Sequence, residues 1–151
     1  MTVIQKIEHW GDHHHANWLD IIRIALGILI FCKGIAIVSN TAALQDLLLQ
    51  NNVFGFSGLM ASAALHIVGF VHLVGGILIA IGLVTRFAVV IQIPILLCAV
   101  FFVNLSNGFS VLNSELWLSL MVLFLLLLFW VVGSGPYSVD QNMKTRPNIF
   151  R

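Results

Sequence analysis

Residues 59–84 form an almost unbroken apolar run without one Asp, Glu, Lys or Arg. As a helix rising 1.5 Å per residue, such a run exceeds the roughly 30 Å thickness of a bilayer's hydrocarbon core. In lipid the backbone must satisfy its own hydrogen bonds, so the run reads as a membrane-spanning helix. Two titratable rings, His66 and His72, lie inside it. A polar ring in hydrocarbon is costly, so each is expected to be turned inward, partnered or functional. The whole chain agrees with a lipid setting. Of 151 residues, 60% are hydrophobic and 9% charged, against about 25% charged in a soluble domain. That balance excludes a solvated globular surface, and it is far too apolar for disorder. A net charge of +1 gives no reason to expect a nucleic-acid partner.

Three more apolar runs follow the same logic. The expected fold is all-α: an integral membrane four-helix bundle with spans at about 18–38, 59–84, 87–105 and 114–132, forming a single transmembrane domain over 1–151. Residues 1–16 carry Val3, Ile7 and Trp10 on one helical face and read as a surface helix. They lack the apolar core and cleavage site of a signal peptide, so the first span is expected to be retained as an anchor. His13, His14 and His15 diverge around a helix and read as a solvated run, with no metal site. In the first span, Asp20 and Arg23 stand one turn apart and can pair. Arg23, Gly27 and Gly34 share a face on which small residues permit close helix approach. Lys33 lies about 15 Å further along the axis, near the opposite interface.

Between spans one and two, Asn40 or Thr41 is expected to cap a short interfacial helix. Leu44, Leu47 and Leu48 would lie on one side, with Gln45, Asp46 and Gln50 facing water. After the second span, Gly82 supplies a stop and Thr85 a cap, so spans two and three form an antiparallel hairpin. Pro94 deprives the Val90 carbonyl of its helical partner and predicts a kink, with Gln92 near enough to satisfy freed backbone groups. Glu115 opens the fourth span and residues 133–136 end it. Cys32 and Cys98 fall within spans and read as small buried hydrophobes. Lys6, Arg86, Lys144, Arg146 and Arg151 gather on one side. The positive-inside rule therefore predicts cytoplasmic N- and C-termini and a polar cytoplasmic tail at 137–151.

Depth then suggests where chemistry sits. Lys33, His66, Asn104, Glu115 and Ser119 come from four spans and fall within roughly the outer third of the bilayer. Buried charges need partners, so they are expected to converge in a polar pocket, with His66 and Glu115 as proton-transfer candidates and Lys33, Asn104 and Ser119 as ligand contacts. His72 points about 120° away from His66. It shares a face with Gly69 and Gly76, which suggests a packed histidine, with ligand contact as the functional alternative. No phosphate loop, dinucleotide fingerprint or metalloprotease motif is present.

The string Arg23-Ile-Ala-Leu-Gly27-Ile-Leu-Ile-Phe31-Cys-Lys-Gly34 resembles the first-helix signature of the DoxX family. Gly82, Thr85 and Arg86 are similar to that family's turn after the second helix. Glu115, and the segment holding Gly133, Tyr137, Ser138 and Asp140, are similar to its fourth helix and tail. The resemblance covers roughly residues 19–140. It implies a small multi-pass protein of the bacterial inner membrane, a subunit of a quinone-linked or thiol/thiosulfate-type redox complex. A quinone would be the ligand and redox subunits the partners. A non-catalytic membrane anchor or assembly factor for partner proteins is the alternative. Separately, so small a four-helix bundle has a large lipid-facing surface, which leaves room for a homo-oligomer.

Overall fold

The computed structural model describes residues 17–50, 55, 57–104, 114–133, 135 and 138–140. Helix α1 runs Asn17–Ser39, α2 Thr41–Gln50, α3 Gly58–Ile81, α4 Thr85–Cys98 and α5 Ser114–Val132. A π-helical segment, Ala99–Asn104, continues α4. Helices α1, α3 and α5 are long and apolar enough to cross a membrane, and α4 begins a shorter apolar stretch, Thr85–Phe101. Packing joins α1 to α3, α3 to α4, α4 to α5, and α5 back to α1. The core between them is Leu26 and Ile30 of α1, Ile79 of α3, Val89 and Leu96 of α4, and Val122, Leu126 and Phe129 of α5. The result is an all-α membrane helical bundle.

The distribution of side chains inverts that of a soluble protein. Ile21, Leu59 and Phe70 are 71%, 83% and 65% exposed, while Asp20, Arg23, Thr85 and Gln92 are buried. Water would reverse that arrangement. Hydrocarbon favours it, because polar groups there gain only by meeting one another.

The α1–α3 contact is the closest in the bundle. A Cβ added at Gly27 would lie 2.5 Å from the Ala80 nitrogen and 2.7 Å from the Gly76 carbonyl, and one at Gly76 would lie 2.7 Å from the Gly27 carbonyl. Seven residues on, Gly34 faces Gly69 and Leu73 in the same way. Two glycine pairs, with the same spacing on both helices, fix an antiparallel register in which backbones touch.

The helix ends depart from the sequence reading in instructive ways. Asn40 Nδ2 donates to the Ala36 carbonyl, and Thr41 Oγ1 to Ile37 and Val38. These side chains satisfy the orphan carbonyls of α1; neither caps α2. Gln45 does not face water, because its Nε2 donates to the Gly58 carbonyl at 3.0 Å and ties α2 to the start of α3. Ser57 caps α3 through Met60 N at 3.5 Å. Gly82 ends it at φ 72°, with Gly82 N bonded to Ile79 O and Leu83 N to Leu78 O, the paired bonds of a Schellman stop.

Thr85 is not the cap of α4. Val84 precedes the helix at φ 48°, with no side-chain cap of its own, a strained conformation for a β-branched residue. The cap comes from Asp140, 56 positions away: its Oδ1 accepts from Val84 N at 2.9 Å and its Oδ2 from Thr85 N at 3.4 Å. Helix α4 continues through Pro94, and the change of winding comes later, at Ala99. The expected span 87–105 is therefore an α-helix of 14 residues starting at Thr85, followed by six in the wider π form. Cys32 and Cys98 are exposed, not buried. In helices apolar all round, nothing local obliges a small thiol to face the core.

Candidate functional site

Two polar groupings stand at opposite ends of the bundle. At the Lys33 end, Lys33 Nζ of α1 donates to Glu115 Oε2 of α5 at 2.6 Å. Their side chains are 37% and 62% exposed, so the pair sits at the bundle's edge with both groups reachable. His66 is exposed and its Nδ1 lies 2.8 Å from the Ser62 carbonyl of its own helix. A carbonyl only accepts, so Nδ1 carries the proton and Nε2 is left as an acceptor. The Gly27–Gly76 and Gly34–Gly69 register sets residue 66 opposite residue 37. That level is one turn, about 6 Å, further out than Lys33.

Of the five residues expected at this level, the structure joins Lys33 to Glu115 and keeps His66 on the flank of α3. Ser119 is half-buried one turn along α5 from Glu115. The side chain of Asn104 lies outside the described residues, as do Tyr137 and the His13, His14 and His15 run. Among the described residues, no three His, Cys, Asp or Glu side chains gather as a metal site.

Midway along α3, His72 is buried, with Nδ1 3.0 Å from the Val68 carbonyl. It packs in the interior as its small neighbours suggested. Beside it, Gln92 of α4 is 1% exposed and its Nε2 donates to the Val71 carbonyl of α3 at 2.9 Å. The amide passes over Gly75, where any Cβ would collide with Gln92 Nε2. Gln92 was expected to serve the carbonyl freed by Pro94; it bridges two helices instead. The readable signal was the pair of a glycine on α3 and the one amide within α4.

At the Arg86 end the polar groups are buried. Arg23 Nη1 and Asp20 Oδ1 are 2.7 Å apart, with side chains 1% and 5% exposed. Gly82 abuts the Arg23 guanidinium, and Gly133, at φ 82°, abuts that of Arg86. Thr85 is fully buried, and its Oγ1 finds no hydrogen-bond partner among the described residues. Asp140 clamps the turn between α3 and α4 from outside, its own N–H donating to the Gly82 carbonyl at 3.2 Å. Arg23, Thr85, Arg86 and Asp140 thus gather at one end, while Gly27 and Gly34 line the α1–α3 seam. Sequence reasoning had given Asp140 no physical role. The available signal was Leu83-Val84 ahead of α4, a start without a local capping side chain.

A family model described as DoxX matches residues 18–105, from the start of α1 through the π-helical segment. Neither a curated protein nor a solved structure matches the chain.

Proposed function

The chain belongs to the DoxX family, and from that premise we propose that it is a multi-pass subunit of a redox complex that binds a quinone-type ligand at the Lys33 end. The bacterial inner membrane is its proposed location, with the Arg86 end toward the cytoplasm, as the basic residues favour. One observation supports the reading above the rest: an ammonium and a carboxylate from two helices, 2.6 Å apart and partly exposed. Such a pair fits a dicarbonyl headgroup. Lys33 Nζ offers a donor to one ring oxygen, and Glu115 can hold a proton for that oxygen. His66 Nε2, about one turn further out, can pass protons to the aqueous side. The quinone supplies two-electron, two-proton chemistry when bound. The sequence holds two cysteines, too few for the four-thiolate ligation of an iron–sulfur cluster, and a partner subunit is the proposed source of the electrons.

The test is purification of the full chain in mild detergent, followed by solvent extraction and quantitation of quinone. The unaltered chain is expected to retain quinone, and Glu115→Gln and Lys33→Gln to lose most of it while remaining folded. Equal retention in the variants, or none in the unaltered chain, removes the proposal. A stoichiometric co-purifying protein without quinone would instead favour an anchor or assembly factor. The buried groups of the Arg86 end suit that reading, because Asp140 and Gly82 hold helix ends there.

A further inference from the structure

We propose that residues 138–140 are a strap closing the Arg86 end of the bundle, and that its release opens a water path to the buried Asp20–Arg23 ion pair. This inference concerns the end opposite the Lys33–Glu115 pair and does not depend on quinone binding.

The strap lies directly over the buried groups. Ser138 is 2% exposed. A Cβ at Gly82 would meet the Ser138 Cβ at 2.6 Å and the Arg23 Cζ at 3.1 Å. Gly82, lacking a side chain, thus lies between strap and guanidinium. Beneath the same turn, Arg23 is 1% exposed, Asp20 4% and Thr85 0%.

The fastening is of a kind that lets go. Among the described residues it includes Asp140 accepting from Val84 N and Thr85 N and donating its own N–H to the Gly82 carbonyl, and Ser138 Oγ donating to the Gly135 carbonyl at 2.7 Å. Water can replace every one of these bonds. Val139, the one apolar residue among 138–140, is 39% exposed and does not anchor the strap. The closed form also keeps Val84 at φ 48°, a strain that opening would relieve. Beneath it, the Thr85 hydroxyl is a buried polar atom without a partner among the described residues, and the first water admitted would satisfy it. Exchangeable bonds, a strained hinge and an unsatisfied group under the cover all favour a closure that opens while the helices stay packed.

The experiment uses the full chain in detergent with Cys32→Ser and Cys98→Ser in place. Thr85→Cys is the reporter, chosen because the hydroxyl it replaces makes no hydrogen bond among the described residues. Leu116→Cys, 1% exposed at the far end, is the control. Each is treated with a water-soluble maleimide, with and without Asp140→Ala. With Asp140 intact, both reporters are expected to react slowly. Asp140→Ala is expected to speed the Thr85→Cys reaction at least tenfold, about 1.4 kcal/mol in opening free energy, and to leave Leu116→Cys unchanged. Equal Thr85→Cys rates with and without Asp140 would overturn the strap. So would a parallel rise at both reporters, which would mean that the bundle loosens as a whole.

Discussion

Gly27→Ala tests the architecture at its tightest point. The added methyl would sit 2.5 Å from the Ala80 nitrogen, 2.7 Å from the Gly76 carbonyl oxygen and 2.8 Å from the Ala80 Cα. All three are backbone atoms, so no side chain can swing aside. Ordinary carbon contacts lie near 3.5–4.0 Å, so α1 and α3 must part by about 1 Å. Overpacking of this kind costs about 1–3 kcal/mol. Alanine's better helix propensity offsets up to about 1 kcal/mol of that; with backbone on every side the overpacking should lie at the upper end, leaving a net loss of about 2 kcal/mol. Gly58→Ala is the matched control: its Cβ would meet only Gln45 Nε2 at 3.4 Å and Leu49 Cδ1 at 4.0 Å. The assay is unfolding in mixed micelles of rising SDS fraction, followed by tryptophan fluorescence. Gly27→Ala should unfold well before the unaltered chain, and Gly58→Ala within about 0.5 kcal/mol of it. If the two variants unfold together, the α1–α3 backbones are not in contact and the register is wrong.

Two further perturbations probe the buried polar groups by the same assay. Asp20→Asn leaves the Arg23 charge, 1% exposed, without its carboxylate and should cost about 3 kcal/mol; a loss under 1 kcal/mol would mean that the pair is solvated. Gly75→Ala should be destabilising beside Gln92 and nearly neutral in a Gln92→Ala background, with a coupling of about 1 kcal/mol or more in the double-mutant cycle. Additive effects would show that Gln92 does not cross to Val71.

The inverted surface also explains why so few buried side chains suffice. Lipid solvates the outward Ile, Leu and Phe side chains as well as a core would, so burying them brings little. What holds α1 to α3 is backbone contact at glycine. Between α3 and α4, one amide over Gly75 and one carboxylate on the turn add polar links to the apolar packing of Ile79 and Val89. Specific interactions are concentrated at a few residues, and single substitutions there should weigh heavily.

Local chemistry made much of this legible in the chain itself. The apolar runs fixed helix and membrane, because uncharged segments of that length can satisfy their backbones in lipid in no other way. The Asp20–Arg23 pair and the glycine face of α1 followed from spacing within one helix. The common depth of Lys33 and Glu115 followed from counting residues. Tertiary structure alone decided the rest. Helices apolar on every side carry no stripe that sets their rotation, so Cys32 and Cys98 turned outward although their sequence neighbours gave no sign of it. His66 stayed on its own flank for the same reason. The cap of α4 came from Asp140 and the partner of Gln92 from Val71, because a bond across 56 or 21 positions exists only once the helices have met. Spacing along a helix determines which groups share a level, and packing between helices determines which of them touch.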